Sequence, residues 1–151
     1  MTCRPMPGVL AAAALSLALA LPAQAASLRD CDTFEANAQN LVFPVENSTR
    51  SFANGAIRVI ALDTGGEPTC CSAHVMVLLA ARDEPGQTCV LISREGTMGW
   101  AGADVGAAGA TYDPATGLSV SVPVQVYDGA GSRPDRLRID INQATGRITA
   151  R

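Results

Sequence analysis

The chain has no lysine: all 11 basic residues are arginine, and 14 Asp and Glu residues outnumber them for a formal net charge of −3. That balance excludes the basic surface with which proteins displace counterions from nucleic acid or settle on anionic lipid. Histidine occurs once, at His74. One imidazole rules out the multi-histidine ligand sets of most zinc hydrolases, and no Gly-x-Ser-x-Gly elbow accompanies it as a serine hydrolase would require. Aromatic residues are only 4% of the chain, with one tryptophan, Trp100. Beyond the first 21 residues no apolar run approaches the roughly 20 residues that cross a bilayer as a helix, so stable membrane insertion is not expected. Arginine without lysine, together with abundant Ala, Gly and Pro, fits a high-GC bacterial genome.

What is present begins with an address. Arg4 precedes an uncharged apolar run of 13 residues, Val9 to Leu21, which Pro22 breaks ahead of Ala23-Gln24-Ala25. The short run and the small-x-small ending have the form of a signal peptide over residues 1–25. The expected product is a single domain of residues 26–151 in the periplasm or the extracellular space. Removing Arg4 with the leader takes the net charge from −3 to −4. Leu28-Arg29-Asp30 ahead of Cys31 does not fit a lipoprotein cleavage box.

With Cys3 gone, four cysteines remain: Cys31, Cys70, Cys71 and Cys89. An even number in an exported domain implies two disulfides, with three possible connectivities. If residues 73–81 and 88–93 form a hairpin, Cys89 sits at its turn end, on the order of 25 Å from Cys71, beyond the Cα separation of about 7 Å that a disulfide tolerates. That geometry leaves Cys31–Cys89 with a bond between neighbours. Because vicinal bonds are rare, the expectation is instead Cys31 paired with one of the adjacent cysteines and Cys89 with the other, the strand being interrupted or helical near His74.

Most of the chain reads as strand. Leu118, Val120, Val122, Val124 and Val126 alternate with Ser119, Ser121, Pro123, Gln125 and Tyr127, and Leu137, Ile139 and Ile141 alternate with Arg138 and Asp140. Such alternation marks strands with one face buried and one wet. Pro123, lacking an amide donor, puts this strand at or near a sheet edge. Asn54-Gly55 suits a type I′ hairpin turn, while Asp113–Gly117 and Asn142–Gly146 each open on an Asx side chain and close on glycine, as tight connections do. Asp32-Thr33-Phe34-Glu35 has the form of a capping box and predicts a short helix over about residues 33–40. The fold class is mainly β: a small antiparallel sandwich or barrel-like domain with one short N-terminal helix, stapled by disulfides.

Two clusters could carry function. Five glycines between Gly96 and Gly109, with Gly99 and Gly102 flanking Trp100, suggest a flexible recognition loop anchored by the indole for an unknown protein or small ligand. On an extended strand, Cys70, Ser72, His74 and Met76 share one face and Cys71, Ala73, Val75, Val77 and Leu79 the other. A thiol, an imidazole and a thioether on one face suit copper(I), and His-x-Met pairs resemble those of exported copper-binding proteins over three residues. The preferred expectation is a non-catalytic binding or structural protein with no cofactor or metal; the alternative is a periplasmic copper-binding protein using His74 and Met76 with Cys70 or Cys71.

Overall fold

A computed structural model describes residues 26–66, 70–81 and 85–151; the expected leader lies outside them. Among the described residues ten strands follow one another: β1 Ser27–Arg29, β2 Thr49–Phe52, β3 Ile57–Asp63, β4 Ala73–Ala80, β5 Gln87–Ser93, β6 Gly102–Ala103, β7 Gly109–Asp113, β8 Gly117–Tyr127, β9 Ser132–Asn142 and β10 Arg147–Ala150. They form two antiparallel sheets, ordered β1-β5-β4-β3-β2 and β10-β9-β8-β6, with β7 also on β8. The sheets face each other as a half-barrel. Val59, Ala61, Val75, Val77 and Ile92 of the first meet Val120, Val122, Leu137, Ile139 and Ile141 of the second in one core.

The two-residue period of the sequence explains most of this. All five odd–even partners of β8 obey it, Leu118 to Val126 being buried and the intervening residues half-buried or exposed. Asp113 Oδ1 accepts from the amides of Ala115 (2.8 Å) and Thr116 (3.0 Å), and Asn142 Oδ1 accepts from Thr145 (3.1 Å), so both Asx turns form.

The expected N-terminal helix is absent. Among the described residues there is no α-helix, and residues 33–40 are turns ending in a single 3-10 turn, Ala38–Asn40. Glu35 pairs with Arg29 at 3.2 Å instead of reaching back to cap. The Asn40 side chain donates to the carbonyls of Phe34 (2.7 Å) and Glu35 (3.2 Å), which a helix would have given to the amides of residues 38 and 39. A second correction concerns Asn54-Gly55. The hairpin forms, but through four residues, with Ala53, Asn54 and Gly55 all at positive φ.

Pro123 lies near the edge of its sheet and not on it: β8 is one strand in, between β9 and the outermost pair β6 and β7. The Pro123 carbonyl accepts from the Asp104 amide at 2.9 Å, so its missing N–H faces the same side, where β8 changes partner from Val124–Gln125 on β6 to Ser121 on β7. The missing amide thus falls where pairing passes from β6 to β7.

The disulfides also depart from the expected pairing. The β4–β5 hairpin is regular, with Ala80 opposite Gln87, so no interruption or helix occurs at His74. Cys89 lies opposite Leu78, far from the start of β4. β1 runs along β5 with Arg29 opposite Leu91, and continuing that register two residues sets Cys31 against Cys89. Those two are bonded, Cα–Cα 5.7 Å, and Cys70 is bonded to its neighbour Cys71.

Candidate functional site

Residues 96–109 are not a free loop. Trp100 bridges the first sheet through Ala73, with N to O distances of 2.8 and 3.0 Å, and Ala101 donates to Gln125 O of the second at 2.8 Å. This crossing joins the two sheets and closes one side of the half-barrel. Gly99 is required by the crossing: its amide bonds Cys71 O at 2.8 Å, and a Cβ would lie 2.1 Å from Ala73 O. Gly102 has no such constraint, since a Cβ there would meet only ordinary contacts. Trp100 itself is 5% exposed and belongs to the core. An indole anchor standing out from a mobile loop is therefore not what the sequence encodes.

One edge of Trp100 nevertheless borders a cleft of about 370 Å³ at the end of the core, floored also by Val124, Val126 and Leu137. Its origin is in strand parity. Leu137, Ile139 and Ile141 face the core from β9, and the two earlier positions of the same parity are Asp135 and Arg133. These stand opposite Val124 and Val126 of β8. Charged side chains on a core-facing row cannot be packed dry without a large desolvation cost, so this end of the half-barrel stays open. Arg94 plays the same part in the first sheet, two residues beyond core-facing Ile92. Sequence reasoning missed all three; the legible signal was a charge at core parity next to an apolar row.

The charges of the cleft do not cancel. Among the described residues Asp135 is its one acidic side chain, engaged by Arg133 at 3.6 Å and by the Arg136 amide at 2.8 Å. The Arg136 guanidinium turns away to Ser121 and that of Arg151 to Asp140. Arg94 is half-buried, and no carboxylate pairs with it among the described residues.

His74 and Met76 do face the same way, away from the main core, as the alternation requires. That face is covered by Cys31, Ala36 and Leu41, which pack with Ile60, Leu62 and Leu91 into a second, smaller core. Beside it runs a polar chain: Glu35 accepts from Arg29 (3.2 Å), Arg29 donates to Ser93 Oγ (3.3 Å), and Ser93 Oγ meets His74 Nδ1 at 2.9 Å. With one proton and two lone pairs, the Ser93 hydroxyl accepts from Arg29 and still has a group to offer the imidazole nitrogen in either tautomer. His74 is 1% exposed and Ser93 0%, so substrate does not reach them in this fold. No cluster of three or more His, Cys, Asp or Glu side chains suited to a metal occurs among the described residues, and Cys70, bonded to Cys71, offers no thiolate.

Burial lowers the His74 pKa from its ordinary 6.5, and Arg29 adds to this, against the opposing pull of Glu35 and Asp63. For Glu35, burial works toward a higher value, but the hydrogen bonds from its backbone and Arg29 outweigh it and the net direction is down. The folded imidazole thus refuses a proton that the unfolded one accepts. Stability should be complete above about pH 6.5 and fall as the pH drops below it, by at most about 1.4 kcal/mol per pH unit from this group. Urea midpoints at pH 7.5 and 5.5 check this: the wild type should lose stability between them, and His74→Gln should show a much flatter profile.

No helix among the described residues is long and apolar enough to cross a membrane. No family model, curated protein or solved structure matches this chain.

Proposed function

We propose that this chain is a small exported, non-catalytic binding protein that holds a small molecule in the cleft between its two sheets. The observation that carries the reading is the cleft itself: about 370 Å³, with an apolar floor of Trp100, Val124, Val126 and Leu137 under a charged rim. That volume lies at the lower end of the roughly 300–1,000 Å³ of ligand sites, and an apolar body with a few polar groups is their usual composition. Export to the periplasm or beyond is part of the proposal. The leader-like first 25 residues and the Cys31–Cys89 bond support it, since such bonds persist in oxidising compartments.

Trp100 is the chain's single tryptophan and so reports on the cleft alone. Native mass spectrometry of protein purified from its host should show a bound small molecule whose removal changes Trp100 emission. A ligand-free mass, or a bound molecule that leaves with no change in emission, would overturn the reading.

Copper handling is the second reading, favoured by the shared face of His74 and Met76; Cys70 or Cys71 joins them only after reduction. Metal analysis and thiol titration of the same preparation separate the two. Stoichiometric copper with free thiols would replace the binding reading.

A further inference from the structure

We infer that the cleft selects an amphipathic monoanion, an apolar body ending in one carboxylate, and that removal of the leader completes the site. This rests on the cleft being the ligand site. Four of the residues lining it are arginines, but three are already committed: Arg133 to Asp135, Arg136 to Ser121 and Arg151 to Asp140. Arg94 is left: it is half-buried, lines the cleft with Trp100 and the valines, and has no carboxylate partner among the described residues. A guanidinium in that position is a fixed fork of donors matched to a carboxylate, and charge-assisted bonds of this kind are stronger than neutral ones.

The second cation comes from processing. Ala26 also lines the cleft, and cleavage after Ala23-Gln24-Ala25 leaves the new α-ammonium on that residue. The precursor has an uncharged peptide bond there. Only the processed chain therefore brings two cations to the cleft, so anion binding switches on with export.

The absence of lysine makes this testable, because the processed chain, with no lysine, carries its primary amine only at the N-terminus. Octanoate, octanol and octyltrimethylammonium share one apolar body, and each can be titrated into the processed protein with Trp100 emission as readout. Octanoate should bind at least tenfold more tightly than octanol, and octyltrimethylammonium more weakly than both. Arg94→Gln should abolish the preference for octanoate over octanol. Amine-selective acetylation, with the modified residue confirmed as Ala26, should weaken octanoate severalfold and spare octanol. Equal affinity for octanoate and octanol would overturn the anion selectivity while leaving the cleft as the ligand site. Silence of Trp100 toward all three would remove the cleft reading as well. An acetylated protein that binds octanoate like the free amine would remove the processing step.

Discussion

Replacing Trp100 with alanine should lower the unfolding free energy by about 3–5 kcal/mol, the usual cost of deleting a buried large aromatic. The ring is 5% exposed and packs with residues of both sheets, and its backbone holds the crossing to Ala73. Some of the vacated volume would merge with the open cleft and admit water, which places the loss toward the lower end of that range. For a domain whose total stability is of the order of 5–15 kcal/mol, that is a large fraction. Urea unfolding followed by circular dichroism measures it, since the mutation deletes the fluorophore. A change below about 1 kcal/mol would show that the indole is a surface element and not part of the core.

Opening the Cys31–Cys89 bond should cost about as much. It closes a separation of 58 residues, for which the chain-entropy model gives about 4 kcal/mol. The paired substitution Cys31→Ser, Cys89→Ser should show that loss. It should also loosen the 31–41 segment over β5, so that the lone imidazole, followed by NMR, titrates closer to 6.5 than in the wild type. Removing the Cys70–Cys71 pair is the control, because a bond between neighbours closes almost no chain. Equal losses from the two double variants would count against the assignment of the long staple.

Much of the architecture was legible because strands write a period of two into the sequence. The row Leu118–Val126 and the opposite facing of His74 and Val75 follow from side chains alternating across a pleat, and the two Asx–Gly turns from Asp113 and Asn142 accepting from amides two or three residues on. The candidate site was less so. Trp100 among glycines reads locally as flexibility, yet Gly99 is there to let two backbones approach, which depends on a strand 26 residues earlier in the chain, at Ala73. Arg94, Arg133 and Asp135 sit at core parity just beyond the ends of apolar rows, and nothing local says that a cleft lies at those ends. The capping box failed for a similar reason: Glu35 found Arg29, held in place by β1 on β5, before it could serve its own turn.

By itself the sequence determined the β class, the faces of the long strands and the turn positions, all set by alternation and by residues within a few positions of each other. Tertiary structure alone decided the disulfide pairing, the burial of Trp100 and the existence of the cleft. Each of these depends on which distant strands become neighbours and in what register. That choice is made by packing of the whole core, and no window of the chain contains it.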